Sequence, residues 1–231
     1  MNSVWSQVTA VLFDLDGVIT PTADIHQRAW LQALSNFDAD ETDYHNYIDG
    51  RPRLDGVRGF LHGRSMTLPE GSPSDAASTS SVHGIAALKN SIFLHILEHE
   101  PFSGYPGSLA VLSDLEQRLT PFALVTSSKN AEPVLRASGL RERFSIIVDG
   151  NRAEEESLRG KPAPDTYLHA ASLLGVAPID CAVVEDAVSG VMAGHAGGFG
   201  TVIGVNRGAG RDALIAAGAD LVVDDLQETL P

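Results

Sequence analysis

Six short apolar runs recur along the chain, and their pattern predicts buried parallel strands. They are VTAVLFD (8–14), FALVTS (122–127), SIIVDG (145–150), CAVVED (181–186), TVIGVN (201–206) and LVVDD (221–225). Most of the runs are continuously apolar rather than alternating, as expected for strands that are covered on both faces. From Phe122 onward helical segments separate the runs, so the sequence predicts an α/β fold with a doubly wound parallel sheet.

More than a hundred residues separate the first apolar run from the second, which is too long for a single crossover helix. This stretch contains three segments with a helical pattern and a polar loop, rich in Ser, Pro and Gly, at 68–81. The three helical segments are 23–37, 55–64 and 84–100. We therefore predict a helical cap domain inserted at 21–101 and a core domain formed by 1–20 and 102–231.

Composition and charge restrict the class of partner. The 231 residues include 16 Lys and Arg against 30 Asp and Glu, a formal charge of −14. Such a field repels nucleic acid and anionic membranes, and no apolar stretch approaches the roughly 18 residues of a membrane span. The single cysteine, Cys181, excludes an intrachain disulfide, and the N-terminus lacks the basic region of a signal peptide. We expect a cytoplasmic monomer that binds a small molecule.

Chemically active side chains follow three of the predicted strands. Asp14 ends the first run and Asp16 lies two residues beyond it, Thr126 lies near the end of the second run, and Glu185 and Asp186 end the fourth. Because ligands of open α/β sheets bind outside the carboxyl ends of the strands, we expect these groups to converge at one edge. Each motif alone is common in turns and helix caps, whereas all of them at strand ends are hard to attribute to chance.

The residue types at this edge favour phosphoryl transfer with a divalent cation. Carboxylate oxygens without a neighbouring His or Cys are the ligands that Mg²⁺ prefers. A carboxylate can act as a nucleophile by forming an acyl phosphate, and a second carboxylate two residues on can serve as general acid or base. Lys161, just before a predicted helix, and the hydroxyl of Thr126 offer donors for phosphoryl oxygens.

Four motifs carry a resemblance to a known family. FDLDG, VTSS, KPAPD and VEDA resemble the motifs of the haloacid dehalogenase-like phosphotransferases, in the same order and over nearly the whole chain. The resemblance implies a nucleophile at Asp14, an acid/base at Asp16, and contacts to the phosphoryl group from Thr126 and Lys161. The Mg²⁺ site that it implies consists of Asp14, Asp16 through its carbonyl oxygen, Glu185 and Asp186.

The opening of the chain is also similar to a narrower family. Its motifs resemble those of the β-phosphoglucomutases. They are DLDGVIT (14–20), TA (22–23), His26, RAW (28–30), LKN (88–90) and TSSKN (126–130). That likeness implies that phosphorylated Asp14 converts β-glucose 1-phosphate to glucose 6-phosphate through a bisphosphate. It implies that His26 restrains Asp16 and that Arg53 binds the distal phosphate. The other substrate contacts that it implies are Lys89, Asn90, Ser128, Lys129 and Asn130.

The core motifs leave two other functions open. A sugar-phosphate phosphatase would use the same groups with water as the acceptor, and a non-catalytic binding protein could keep the fold. The cap residues favour the mutase because only a mutase must hold a second phosphate. Each of them also has a structural interpretation: His26 as a helix-surface histidine, Arg53 as a loop brace and Lys89 as a solvated helix charge.

Several other patterns are interpreted as structural. HILEH, at 95–99, matches an inverted zinc-peptidase motif, but no third ligand is evident and a solvated helix face is favoured. The glycines of 194–200 indicate close helix–strand packing, and Cys181 is expected in the core. The acidic segment 151–160 is interpreted as a loop insertion.

Overall fold

The structure is a computed structural model that describes residues 4–231. Contacts divide these residues into two compact units. The sheet unit contains the chain up to Pro21 together with Phe102–Pro231, and the inserted unit is Thr22–Pro101. The inserted unit therefore lies between the first strand and all the other strands of the sheet unit.

The sheet unit is built on six parallel strands. They are β1 (Ala10–Phe13), β2 (Phe122–Val125), β3 (Ile147–Val148), β4 (Cys181–Glu185), β5 (Thr201–Val205) and β6 (Leu221–Val223). Their spatial order is β3-β2-β1-β4-β5-β6, and each neighbouring pair runs parallel. Each strand falls within one of the six predicted runs and is shorter than it. The predicted α/β fold with a doubly wound parallel sheet is confirmed.

The strands that carry the motifs are neighbours at the centre of the sheet. β1 lies between β2 and β4, and every residue of these three strands is buried, which is why their sequences are continuously apolar. In register, Phe13 lies beside Leu124 on one side and Val184 on the other. The residues that follow the three strands therefore emerge at the same edge.

The inserted unit is helical and has a small core of its own. Its helices are α1 (Thr22–Ala33), α2 (Glu41–Asp43), α3 (Arg53–Gly63) and α4 (Val82–His99), with a π-helical turn at Tyr44–Ile48. Trp30, Phe60 and Ile85 belong to the buried cluster that joins them. The polar loop ends at Ser81, whose hydroxyl accepts from the N–H of Gly84 and so fixes where α4 begins.

Helices of the sheet unit connect its strands. They are α5 (Pro106–Gln117), α6 (Ala131–Ala137), α7 (Gly150–Glu155), α8 (Asp165–Leu174), α9 (Val188–Ala196) and α10 (Arg211–Ala217). One short 3₁₀ turn of the inserted unit lies at Ser35–Phe37. Those of the sheet unit lie at Val4–Ser6, Arg141–Arg143, Pro178–Asp180 and Leu226–Thr229. The interpretation of segment 151–160 as a loop is wrong for its first half, which is part of α7. The reason is Asp149, which accepts from the N–H groups of Asn151 and Arg152 and caps this helix.

Packing confirms two of the structural interpretations. An added Cβ at Gly194 of α9 would lie 3.2 Å from side chains of Val183 and Val202, so glycine lets α9 approach β4 and β5 closely. Cys181 begins β4 and is fully buried. Across residues 4–231, no helix combines the length with the apolar character that crossing a membrane requires.

Candidate active site

Asp14 directly follows β1, and its backbone N–H donates to the carbonyl of Val184 on the neighbouring strand at 3.0 Å. The chain then turns sharply at Gly17, whose φ of +87° is left-handed and favours glycine. The N–H of Gly17 donates to the carbonyl of Thr20 and closes this turn. Asp14 is buried, whereas Asp16, within the turn, is partly exposed.

Three donors from distant parts of the sheet unit hold the carbonyl oxygens of this turn. They are Arg207 Nε on Gly17 (3.3 Å), Ser108 Oγ on Val18 (2.6 Å) and the Tyr105 N–H on Ile19 (3.0 Å). The guanidinium of Arg207 also packs over the ring of Tyr105 at 4.0 Å. These contacts restrain the backbone on which Asp16 stands.

Lys161 is the buried centre of the site. Its ammonium donates to Asp14 Oδ1 at 2.5 Å, to Glu185 Oε1 at 2.5 Å and to the carbonyl of Val125 at 3.2 Å. These three acceptors match the three N–H donors of an ammonium. Burial opposes its charge, but Asp14 and Glu185 outweigh burial and raise the pKa of Lys161 above its ordinary value. Lys161 is therefore a permanent cation beside Asp14.

Glu185 accepts hydrogen bonds on both of its carboxylate oxygens. Oε1 accepts from Lys161 and, at 2.9 Å, from the hydroxyl of Tyr167. Oε2 accepts from the backbone N–H groups of Asp186 and Ala187 at 3.0 and 3.1 Å. Glu185 thus ties the lysine to the backbone that follows β4.

Asp14, Glu185 and Asp186 form a buried acidic cluster that fits a divalent cation. One oxygen of each lies within 4.8 Å of the others, and this is the one group of three such ligands within residues 4–231. Burial raises the pKa of Asp14 well above its ordinary value; Lys161 opposes this rise, while Glu185 and Asp16 add to it. One lysine does not compensate the charge of three carboxylates. Such oxygen ligands suit a hard cation such as Mg²⁺. In the described part of the chain, the histidines of 95–99 belong to no such group.

The loop after β2 places hydroxyl groups beside the turn of Asp16. Thr126 Oγ1 lies 3.5 Å from Asp16 Oδ2 and accepts from the N–H of Ser128 at 3.0 Å. The hydroxyl of Ser128 in turn accepts from the N–H of Asn130 at 3.1 Å. These contacts link six residues at one edge of the sheet, where the sequence predicted that they would meet. The six are Asp14, Asp16, Thr126, Lys161, Glu185 and Asp186.

Lys129, in the same loop, is paired with the acidic segment. Its ammonium donates to Glu154 of α7 at 2.6 Å, and both side chains are exposed. The carbonyl of Lys129 accepts from Asn151 Nδ2 at 3.0 Å, and the carbonyl of Ser128 accepts from the N–H of Gly150 at 3.0 Å. Helix α7 therefore holds the loop after β2.

The predicted substrate residues of the inserted unit form two contacts within that unit. Lys89 of α4 is buried, and its ammonium lies 2.6 Å from His26 Nδ1 of α1 and 4.6 Å from the centre of the Phe93 ring. Arg53, at the start of α3, donates to Asn90 Oδ1 at 2.8 Å, and burial lowers the pKa of its guanidinium. Because Lys89 is only 2% exposed, its interpretation as a solvated helix charge is wrong.

Three side chains that hold the predicted residues have no clear signal in the sequence. Tyr167 binds Glu185, Glu154 binds Lys129, and Arg207 binds the turn after β1. Tyr167 is one apolar position within a helical pattern, and Arg207 lies 190 residues from its partner Gly17. The acidic segment was the one visible signal, and it marked Glu154 without giving its partner.

Known proteins resemble this chain over most of its length. The sequence pattern of the haloacid dehalogenase-like hydrolases matches residues 8–198. A β-phosphoglucomutase of Mycobacterium bovis is 42% identical over 97% of this chain and 92% of its own. Hexitol phosphatase A of Escherichia coli is 34% identical over 94% of this chain and 91% of its own.

Solved structures agree with these relatives. The crystal structure of a β-phosphoglucomutase from Clostridium difficile superposes with a TM-score of 0.76 at 27% identity, covering 96% of this chain and 92% of that one. The family pattern spans most of the chain, and the Mycobacterium bovis enzyme matches it almost from end to end. The chain is thus an enzyme of the haloacid dehalogenase-like hydrolase family and belongs, within it, to the β-phosphoglucomutase family.

Proposed function

We propose that the protein is a Mg²⁺-dependent β-phosphoglucomutase that interconverts β-glucose 1-phosphate and glucose 6-phosphate. The observation that carries the proposal is the contact between the Lys161 ammonium and Asp14 at the buried acidic cluster. A carboxylate beside a permanent cation is suited to attack a phosphorus atom, because the cation offsets the charge of the incoming group. The β-phosphoglucomutase at 42% identity supports the choice of substrate.

Asp14 acts as the nucleophile in this proposal. In the phosphorylated enzyme, the C6 hydroxyl oxygen of β-glucose 1-phosphate attacks the phosphorus, and the bond between phosphorus and Asp14 breaks. This gives the 1,6-bisphosphate, which turns over in the site. Asp14 then attacks the C1 phosphoryl group, and glucose 6-phosphate leaves. Lys161 and the hydroxyl of Thr126 donate to the phosphoryl oxygens throughout.

Asp16 moves the proton. Its carboxylate takes the proton from the C6 hydroxyl as that oxygen attacks, and returns a proton to the C1 oxygen when glucose 6-phosphate leaves. The donors on Gly17, Val18 and Ile19 support this role because they restrain the turn on which Asp16 stands. A general base must reach its proton within hydrogen-bond distance, so a fixed turn favours transfer.

The proposed Mg²⁺ ligands are Asp14, the carbonyl oxygen of Asp16, Glu185 and Asp186. When bound, Mg²⁺ would partly neutralise the negative charge of the phosphoryl group that is transferred. Lys161 supplies a second positive charge from the protein itself, in direct contact with Asp14. The acid–ammonium contacts keep these groups in one arrangement before substrate arrives.

The second phosphate and the sugar require additional contacts. We propose that these come from His26, Arg53, Lys89 and Asn90 of the inserted unit and from Ser128, Lys129 and Asn130 after β2. Arg53 is suited to the distal phosphate because a guanidinium binds phosphate through two parallel hydrogen bonds. The inserted unit is proposed to exclude water as a cap domain, and His26 to restrain Asp16. A monomeric state and a cytoplasmic location stay predictions.

A sugar-phosphate phosphatase is the second candidate function. In that reaction water, rather than a sugar hydroxyl, attacks the phosphorus bound to Asp14. The observation that favours it is the 34% identity to hexitol phosphatase A over nearly the whole chain. Both reactions use the same core residues, so the acceptor of the phosphoryl group distinguishes them.

Phosphorus NMR tests the proposal directly. The protein is mixed with β-glucose 1-phosphate, a trace of β-glucose 1,6-bisphosphate and MgCl₂, and the products are followed over time. Rapid formation of glucose 6-phosphate is expected. Inorganic phosphate as the main product would overturn the mutase and support the phosphatase. Asp14→Asn is expected to abolish both products, and unchanged turnover in that variant would overturn the site itself.

A further inference from the structure

Tyr167 touches both of the charged groups that surround Asp14. It lies on α8 and is fully buried, and its hydroxyl donates to Glu185 Oε1 at 2.9 Å. The face of its ring also lies 4.9 Å from the ammonium of Lys161. One side chain therefore contacts the glutamate through a hydrogen bond and the lysine through its π-system.

The position of Glu185 determines where the lysine ammonium can lie. All three N–H donors of Lys161 are used, on Asp14, Glu185 and the carbonyl of Val125. When Asp14 carries a phosphoryl group, the donor that faces Asp14 is the one that can turn to a phosphoryl oxygen. Lys161 then keeps its contacts with Glu185 and with the backbone carbonyl of Val125. Of these two acceptors, only Glu185 is a side chain that can rotate.

Tyr167 is well placed to prevent that rotation. Oε1 of Glu185 has two donors, Lys161 and Tyr167, and Oε2 is held by backbone N–H groups alone. The tyrosine ring packs in the core of the sheet unit and forms a T-shaped pair with Phe199 at 6.0 Å between ring centres. A ring fixed by core packing keeps its hydroxyl at one point, and that point lies against Glu185 Oε1.

The hydroxyl of Tyr167 can act only as the donor in this contact. Glu185 forms an ion pair with Lys161, so its carboxylate accepts hydrogen bonds and offers none. The direction of the hydrogen bond, from the phenol to the carboxylate, is therefore fixed.

We propose that Tyr167 is a positioning residue for phosphoryl transfer at Asp14: its hydroxyl holds the Glu185 carboxylate, which holds the Lys161 ammonium against the phosphoryl group. Tyr167 touches neither substrate nor reacting atoms, so it acts through these two residues. The inference rests on the proposed function in one respect, namely that Asp14 accepts a phosphoryl group.

The test is Tyr167→Phe, which keeps the ring and its contact with the ammonium and removes the hydroxyl alone. Two rates are measured: phosphorylation of Asp14 by acetyl phosphate, followed by intact mass, and steady-state turnover of β-glucose 1-phosphate. We expect both the phosphorylation rate and kcat to fall about tenfold, because a charged acceptor loses a donor. Both rates are measured at saturating MgCl₂, because Glu185 is also a proposed Mg²⁺ ligand, and the KM for β-glucose 1-phosphate should stay within about twofold.

Tyr47→Phe is the matched control, since it removes a hydroxyl from a partly buried tyrosine of the inserted unit. It is expected to leave both rates unchanged. A second measurement uses the background of Glu185→Gln, where Tyr167→Phe should slow phosphorylation by less than about twofold because the two residues act in series. An equal tenfold loss in that background, or unchanged rates in Tyr167→Phe itself, would overturn the positioning role.

Acetyl phosphate separates this inference from the proposed function. If the wild-type protein is phosphorylated by acetyl phosphate but forms no glucose 6-phosphate, the mutase proposal fails while the comparison of phosphorylation rates still decides the role of Tyr167. If Asp14 takes up no phosphoryl group from either donor, both are overturned. Equal thermal unfolding midpoints for wild type and Tyr167→Phe confirm that the rates compare folded proteins.

Discussion

The carboxylate of Glu154 holds the ammonium of Lys129 at 2.6 Å. The same contact lowers the pKa of Glu154, which is therefore ionised at neutral pH. Since Lys129 is proposed to bind the phosphate of the substrate, Glu154 competes with that phosphate for the same cation. We therefore expect the ion pair between Glu154 and Lys129 to lower the affinity for the substrate.

Glu154→Gln should therefore lower the KM for β-glucose 1-phosphate. An exposed ion pair contributes little free energy, so the expected decrease is about twofold to threefold, with kcat unchanged. Glu155→Gln is the control, because it removes the same charge from a neighbouring exposed position. An equal decrease in both variants would show that net charge, rather than the pair with Lys129, sets the KM.

Gly190→Ala should lower turnover because the added methyl group would collide with Glu185. An ideal Cβ at Gly190 of α9 would lie 1.8 Å from Glu185 Oε1, so the carboxylate or the helix must shift and the contact between Glu185 and Lys161 is disturbed. We expect kcat to fall by about a hundredfold, because displacement of a supporting group by about 1 Å misplaces the reacting groups. Gly194→Ala on the same helix is the control, since its Cβ would meet two valine side chains at 3.2 Å. Similar kcat values for the two variants would contradict the prediction.

Arg207→Lys should slow turnover without weakening the acidic cluster. The guanidinium donates to the carbonyl of Gly17 and packs over Tyr105, and a lysine cannot reproduce the planar fork that makes both contacts. We expect kcat to fall about fivefold because the turn that carries Asp16 loosens, with an unchanged Mg²⁺ requirement. Arg136→Lys, an exposed arginine paired with Glu132, is the control and should be neutral. Wild-type turnover in Arg207→Lys would show that the turn holds without it.

Mg²⁺ should stabilise the folded protein through the acidic cluster. Asp14, Glu185 and Asp186 are buried together with one lysine between two of them, so a bound cation relieves repulsion in the folded state only. Differential scanning fluorimetry should show Tm rising with MgCl₂ in wild type and much less in Asp186→Asn. EDTA should abolish turnover, and MgCl₂ should restore it. Equal Tm increases in both proteins would place the cation elsewhere.

Cys181 should be inert in the native protein. It is fully buried, and burial, with a smaller effect of Asp180, raises the pKa of its thiol to about 11. A thiol reacts as its thiolate, and at pH 8 only about one in a thousand would be ionised. DTNB should therefore release almost no thionitrobenzoate until guanidinium unfolds the chain, and then one equivalent. Rapid native reaction would show that β4 opens readily.

The continuously apolar runs of the sequence predicted both the strands and the positions of Asp14 and Glu185. Parallel buried strands are continuously apolar, and their carboxyl ends lie at one edge, so the residues after them meet there. Register between Phe13 and Val184 brings the residues that follow β1 and β4 together. Nothing beyond strand direction was needed for that part of the site.

Residues that act across the fold could not be predicted in the same way. Tyr167 faces Glu185 because α8 packs on β1 and β2, and Arg207 reaches Gly17 because β5 ends near the same edge. Neither contact has a local signal, since each depends on how distant elements pack. The error at 151–160 has a different cause: Asp149 caps a short helix, and the acidic residues after it resemble a loop when that cap is overlooked.

The position of the insertion also affects how the protein is synthesised. β1 is made first, yet its neighbour β2 follows more than a hundred residues later and its other neighbour β4 later still. At ribosomal elongation rates β1 waits roughly 5–20 s for β2, while the helices of Thr22–Pro101 emerge with their own core. We therefore expect the inserted unit to fold on the ribosome before the sheet does. The strand that precedes Asp14 is synthesised before either of its partners, and we expect aggregation of the nascent chain to depend on its four apolar residues.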